Sequence, residues 1–225
     1  MIRYALFDLD DTLYPPAAGV LSHAGRRIER YLIERMRLSP EEARRLRTEY
    51  RDRYGTTLGG LMAHHNGDVA LAEDYLVYVH DLPIEEMLHP DRDLDDILAA
   101  LPWECVIFTN SDWRHAERVL AALGIRQRFS RIFDITGAGY LQKPHPKVYE
   151  HVLSSLAVDG SACLMVDDGL RNLEAAKAWQ MTTVWVGPEA SPTDGVDFAI
   201  PSIKAIVEVA AQLQARDHHT RQGQS

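Results

Sequence analysis

Asp8 and Asp10 stand two residues apart where the apolar run Tyr4-Ala5-Leu6-Phe7 meets a cluster of acids. Carboxylates so placed can divide the work of a reaction, one attacking as a nucleophile while the other gives and takes protons. Their combined negative charge calls for a counter-ion, and a divalent cation that prefers oxygen ligands suits them. An acidic turn after a strand would give the same string of residues for structural reasons alone. Matching parts elsewhere in the chain decide between the two. Cys105-Val106-Ile107-Phe108 runs into Thr109-Asn110, and Cys163-Leu164-Met165-Val166 runs into Asp167-Asp168. Lys143 stands at the start of a helical segment, where the helix dipole disfavours a cation and so points to a functional reason.

Together these residues suit phosphoryl transfer, in which catalysis is mostly positioning and charge neutralisation. Asp8 can attack phosphorus and form an aspartyl-phosphate. Asp10 can protonate the leaving oxygen and then activate water. Asp8 and Asp168 match the one or two carboxylates that Mg²⁺ usually takes from a protein. Asp167 is either a further ligand or an acceptor for a backbone amide. Thr109 and neighbouring N–H groups can hold phosphate oxygens, with a helix N-cap as the structural alternative for Thr109. Asn110 either orients substrate or braces its loop. Lys143 supplies a positive charge to phosphate and to Asp8. Asp11 reads as a turn residue, Thr12 as a fastener of the first loop, and Asn172 as a brace behind the metal ligands.

These residues converge only if their strands lie side by side and parallel, because the ends then share one sheet edge, where open α/β sheets bind ligands. The chain supports that. Apolar runs at 4–7, 105–108, 131–135, 163–166, 182–186 and 198–200 alternate with helical periodicity after residue 90, the pattern of a parallel sheet covered on both faces. The closing helix places Ile203, Ile206, Val207, Ala210 and Leu213 inward. Between the first and second strands, residues 17–89 are helical throughout. Leu21, Ala24, Ile28, Tyr31 and Leu32 share one face. Ser39-Pro40-Glu41-Glu42 is a capping box with proline in the first turn. The expected organisation is a catalytic core of 1–16 and 90–215, a helical module of 17–89, and a polar, irregular tail of 216–225.

A net charge of −9 over 225 residues argues against a general nucleic-acid or membrane-surface binder, which would be basic. It permits a small phosphorylated substrate, since local charge at a site outweighs the total. Cys105 and Cys163 fall in buried strands and read as small core residues in a reducing compartment. With no signal-peptide pattern at the N-terminus and no membrane-span run, a cytoplasmic location is expected.

The chain resembles the haloacid dehalogenase superfamily of hydrolases. Asp8-Leu9-Asp10-Asp11-Thr12 resembles the first family motif, Thr109-Asn110 the second, Lys143-Pro144 the third, and Asp167-Asp168 with Asn172 the fourth. The resemblance implies a Rossmann-like core, a Mg²⁺ cofactor and an inserted cap of the four-helix class. It also implies Asp8 as nucleophile, Asp10 as acid/base and metal ligand through its carbonyl, and Asp168 as a metal ligand. Tyr54-Gly55, Gly60-Leu61, His64-His65, His89-Pro90-Asp91 and Asn110 with His115-Ala116 are similar to the pyrimidine 5′-nucleotidase-like branch. That branch implies hydrolysis of nucleoside 5′-monophosphates. His64, His65 and Trp113 become candidates for substrate contact, the indole by stacking on a base.

Other functions compete. A broad small-metabolite phosphatase or a phosphosugar mutase would use the same acids. Dehalogenation is disfavoured by Asp10, which that chemistry does not need. A phosphonatase would want a Schiff-base lysine in the helical module, and residues 17–89 contain no lysine. A non-enzymatic phospho-switch would carry its acceptor on a middle strand, where Asp134 is the nearest candidate.

Overall fold

The structure is a computed structural model that describes residues 1–191 and 195–222. Its centre is a six-stranded parallel sheet. The strands are β1 (Tyr4–Phe7), β2 (Glu104–Phe108), β3 (Arg131–Phe133), β4 (Cys163–Asp167), β5 (Thr182–Val186) and β6 (Phe198–Ile200), in the order β3-β2-β1-β4-β5-β6. Successive side chains on a strand point to opposite faces, and both faces are covered. Ala5, Phe7, Ile107 and Val166 enter one buried cluster, whereas Leu6, Val106 and Met165 enter a second. The strands therefore read as continuous apolar runs.

Register places the chemistry. Phe7 pairs with Ile107 on one side and with Val166 on the other. Asp8, the next residue, therefore emerges level with Phe108 and Asp167. Its N–H still bonds the Val166 carbonyl at 2.9 Å. The strand order reverses direction at β1, and the crevice between β1 and β4 is where such sheets bind ligands. Asp8 and Asp167 border it.

After β1 come four helices that pack together: α1 (Val20–Glu34), α2 (Pro40–Tyr54), α3 (Thr57–His64) and α4 (Val69–Val79). Three of them begin at a side-chain cap. Ser39 and Glu42 form the expected capping box with Pro40 at the first position of α2, Thr56 caps α3 and Asp68 caps α4. The helices pack on one another, α1 on α2 and α4, α3 on α2 and α4. Gly60 lets α3 press against α2, since a Cβ there would collide with the Tyr50 ring. A short helix α5 (Ile84–Met87) then leads to α6 (Arg92–Ala100). The rest of the chain adds α7 (Trp113–Leu123), α8 (Pro146–Leu156), α9 (Leu170–Ala178) and α10 (Ile206–Gln222). None of the described helices is long and apolar enough to cross a membrane.

The structure differs from the sequence reading at several places along the chain. The third strand stops at Phe133, because the Asp134 carboxylate turns back to accept the Trp113, Thr136 and Gly137 donors. On α10 the buried stripe is Ile206, Val209 and Ala210, while Val207 is exposed, since a residue one step from Ile206 lies about 100° around the helix. The expected irregular tail from Arg216 is helical as far as Gln222. Once the first turns are anchored by the core, each further residue adds one helical bond without a new nucleation cost. The remainder of that stretch, 223–225, lies outside the described residues.

Candidate active site

Asp8 is buried just past β1 and held at both oxygens. Lys143 Nζ donates to Oδ1 at 2.8 Å, and the Thr12 hydroxyl donates to Oδ2 at 3.1 Å. The Lys143 ammonium also donates to the Phe108 carbonyl and to Asp167 Oδ2, each at 2.7 Å. An ammonium has three donors, and here all three are used inside the protein. Asn110 fixes the backbone from which Lys143 projects. Its Oδ1 accepts the Lys143 N–H at 2.7 Å, and its Nδ2 donates to the Lys143 carbonyl at 3.1 Å. The loop-bracing role considered for Asn110 is thus present in the structure.

Asp167 Oδ1 accepts the Gly169 N–H and the Asn172 amide at 2.8 and 2.9 Å. Asp168 follows it, its N–H donating to the Thr12 hydroxyl at 3.1 Å. Thr12 therefore ties the Asp8 loop to the Asp168 loop. One carboxylate oxygen from each of Asp8, Asp167 and Asp168 lies within 4.8 Å of the others. Lys143 is the one cation bonded to this trio among the described residues. The imbalance shows in the acidities. Burial, with Asp167 and Asp168 adding to it against the opposing pull of Lys143, pushes Asp8 up to about 8. Asp168 has an exposed side, yet desolvation in the crease, then Asp167, raises it to about 7. Oxygen ligands with a surplus of negative charge fit a divalent metal ion.

Asp10 is buried and takes three donors from three different directions. Its Oδ1 accepts Tyr14 Oη at 2.5 Å and His115 Nε2 at 2.8 Å, and its Oδ2 accepts the Ser111 hydroxyl at 2.7 Å. Burial alone would raise its pKa, but His115, then the Tyr14 and Ser111 hydroxyls, outweigh that and hold it below the usual carboxylate range. Asp10 is therefore a carboxylate in this arrangement. Asp11 adopts the left-handed turn conformation, φ 57°. Thr109 caps nothing, since Asp112 is the N-cap of α7. Its hydroxyl accepts the Ser111 N–H at 3.0 Å, and its proton is left to donate.

Above these groups is a chamber of about 250 Å³. Its floor includes Asp8, Asp10, Thr109 and Ser111; its roof is Leu21, Ala24 and Ile28 of α1, Leu58 of α3, and Tyr75, Leu76 and Val79 of α4. Leu21, expected to be inward-facing, is partly exposed because it faces this space. A wider cleft of about 1220 Å³ adjoins it, with Lys143, Arg51, Arg53, Arg171, Tyr140 and Trp185 among its walls. Gln142 borders both. Its Nε2 donates to the Tyr54 carbonyl at 2.9 Å, and its Oε1 accepts the Thr56 hydroxyl. Gly59 makes room for it, because a Cβ there would strike the Gln142 amide.

The structure brings Asp8, Asp10, Thr109, Asn110, Lys143, Asp167, Asp168 and Asn172 to one edge, but not the three other candidates. His64 stacks on Tyr50 and bonds the Tyr54 hydroxyl at 3.0 Å, and His65 closes the end of α3. Trp113 is exposed, with the Arg114 guanidinium 4.9 Å over its ring, and lines neither chamber nor cleft. Sequence reasoning missed the groups around Asp10. The signal for His115 was present: it continues the Ala116, Val119, Leu120 and Leu123 stripe by one step, so a histidine stood on an apolar face.

Residues 2–179 match the haloacid dehalogenase-like hydrolases. The chain belongs to that family. Within the family it is 28% identical over 189 residues to Phosphate metabolism protein 8 of Saccharomyces cerevisiae, a match covering 78% of this chain and 58% of that protein. It is 29% identical over 97 residues to Hexitol phosphatase B of Escherichia coli, covering 43% of each. The chain thus spans about half the length of the curated relatives it matches. In fold it resembles a family phosphatase from Thermococcus onnurineus, with a TM-score of 0.62, 20% identity, and 92% of this chain and 97% of that one covered. The β-phosphoglucomutase of Clostridium difficile is similar at TM-score 0.62 and 19% identity, with 98% and 100% covered.

Proposed function

We propose that this hydrolase cleaves phosphomonoesters through an aspartyl-phosphate on Asp8, with Mg²⁺ as cofactor, and that nucleoside 5′-monophosphates are its substrates. The observation that carries the reading is the junction of Asp8, Lys143 and Asp167, two residues before a second buried carboxylate. An Asp8 oxygen forms a bond to phosphorus as the ester P–O bond breaks. The electron pair goes to the leaving oxygen, which takes a proton from Asp10. In the second step Asp10 takes a proton from water, whose oxygen attacks phosphorus and frees the Asp8 carboxylate and inorganic phosphate. Asp10, ionised at rest, acquires its first proton when the anionic phosphate enters beside it and raises its proton affinity.

Asp8, Asp168 and the Asp10 carbonyl would hold Mg²⁺, which when bound offsets negative charge on phosphate and carboxylates. Asp167, with its oxygens committed to Lys143, Gly169 and Asn172, anchors the lysine and would add its charge to the metal's surroundings. Thr109 donates to a phosphate oxygen.

We read residues 17–89 as an inserted four-helix cap whose inner face roofs the chamber over the leaving group. That roof supports a nucleoside over a polyol. Its side chains are mostly apolar, and the polar ones near it are occupied, Gln142 by Tyr54 and Thr56, His80 by Asp112. A base has a flat apolar face to set against these side chains, whereas a hexitol phosphate carries a hydroxyl on every free carbon and would leave more of them without partners. A phosphate-release assay over nucleoside monophosphates, hexitol phosphates and hexose phosphates, with Mg²⁺ and after chelation, tests the reading. Preference for UMP and CMP, with turnover lost on chelation or on Asp8→Asn, is expected. Activity surviving Asp8→Asn overturns the mechanism, and preference for sugar phosphates overturns the nucleotide assignment alone.

A further inference from the structure

Asp10 does not hold itself in place. Its two oxygens have different neighbours: Oδ1 is fixed by Tyr14 and His115, neither of which lines the chamber, whereas Oδ2 meets only Ser111, which does. His115 is 2% exposed, and its Nδ1 has no partner among the described residues. What orients the ring is therefore its bond to Asp10 and its stack on His80, with centroids 4.4 Å apart and planes at 23°. His80 ends α4 and is itself fixed, its Nδ1 2.5 Å from Asp112 Oδ2. Asp112 in turn caps α7 through the Arg114 and His115 N–H groups. Three of these four groups close a circuit, His115 to His80 to Asp112 and back to His115 through the first turn of α7, and Asp10 is held from it by His115.

We infer that His115 is a positioning residue for the acid/base step: it pins Oδ1 of Asp10 so that Oδ2 faces the chamber as the oxygen that exchanges protons, and His80 backs it from the helical insertion. This rests on the phosphomonoester reading above. A carboxyl group turns freely about its last bond unless both sides are held, and proton transfer needs donor and acceptor within hydrogen-bond reach in a fixed direction. Removing His115 leaves Oδ1 with the one donor Tyr14, a flexible hydroxyl in place of a packed ring, and loosens the direction in which Oδ2 meets the leaving oxygen. The Asp8 nucleophile, held by Lys143 and Thr12, is untouched by that change. His115 thus governs the proton, not the attack on phosphorus.

The test separates the two. p-Nitrophenyl phosphate releases a stabilised phenolate that leaves without a proton, whereas a nucleoside 5′-monophosphate must release an alcohol. Single-turnover rates would be measured for wild type, His115→Phe and His115→Gln with each ester. Phe keeps the stack on His80 and removes the donor; Gln restores an N–H toward Asp10. The expected result is that His115→Phe slows the first step with the nucleotide by about 10²-fold, leaves the nitrophenolate burst at the wild-type rate, and is largely rescued by His115→Gln. The intact burst also reports a folded active site. Equal slowing with both esters, no slowing with either, or no rescue by glutamine overturns the inference while the hydrolase reading stands. Wild-type protein that turns over neither ester overturns that reading and this one with it.

Discussion

Lys143 and Asp167 meet at 2.7 Å beneath the sheet edge, the aspartate with no exposed surface and the lysine almost none. Breaking a buried pair from one side leaves an uncompensated charge and costs about 3–5 kcal/mol. Lys143→Met is expected to lower unfolding free energy in urea by that order and to abolish turnover. Adding Asp167→Asn to Lys143→Met removes one of the two charges left without their cation, Asp8 keeping the other. The double variant should regain part of the stability without regaining activity. A double variant less stable than Lys143→Met would show that the pair is not the source of the loss.

Metal and protons compete for the same carboxylates, which fixes the sign of a pH effect. Asp8 and Asp168 titrate at about 8 and 7 in the folded chain, against 3.8 for an ordinary aspartate. The folded state therefore binds these protons more tightly than the unfolded state does. Their contribution to metal-free stability is present at low pH and is lost progressively as pH rises from about 4 towards 8. Added Mg²⁺ replaces what deprotonation takes away, so it should raise the melting temperature more at pH 8 than at pH 6. Asp168→Asn should flatten that difference in a thermal-shift titration.

Gln142 and Gly59 form one joint, which makes their variants redundant. Gln142→Ala loses the bonds to Tyr54 and Thr56, while Gly59→Ala expels the same amide by steric contact. Each should cost about 1–3 kcal/mol. Each should also raise kcat/KM for bulky esters relative to small ones, because the chamber then opens into the cleft. Combined, they should do little more than either alone; full additivity in denaturant melts and kinetics would argue against a shared joint.

His64→Ala and Trp113→Ala should leave kcat and KM for nucleotides close to wild type. His64→Ala should still lower thermal stability modestly, because its ring packs among Tyr50 and Tyr54. A KM increase in either variant would return that residue to the substrate site.

What the sequence displayed and what it hid follow from range. Asp8, Thr109 and Asp167 were legible because each directly follows an apolar run, and parallel register then aligns the strand ends. Lys143 was legible because a cation at a helix start needs a reason. The setting of Asp10 was not, since His115 and Ser111 reach it from more than 100 positions away, and no local pattern marks which residue will face which. Gln142 likewise reads as an ordinary polar residue until α3 is laid against it. Asp134, a candidate for a phospho-switch acceptor, proved to lie past its strand with its oxygens spent on a turn. Val207 was misplaced by one helical step, an error periodicity allows wherever valines flank a stripe.

Arg118 ties the return crossing from the helices to the sheet. Its guanidinium grips the carbonyls of His80 and Leu82 and both oxygens of Glu85, so the return crossing from the helices to the sheet is riveted to α7. The outward crossing at Pro15, Pro16 and Ala17 is exposed. The helices are therefore tied to the sheet at two separate places, the Arg118 cluster behind and the Gln142 joint at Tyr54 and Thr56 in front, so opening the chamber requires releasing one of them.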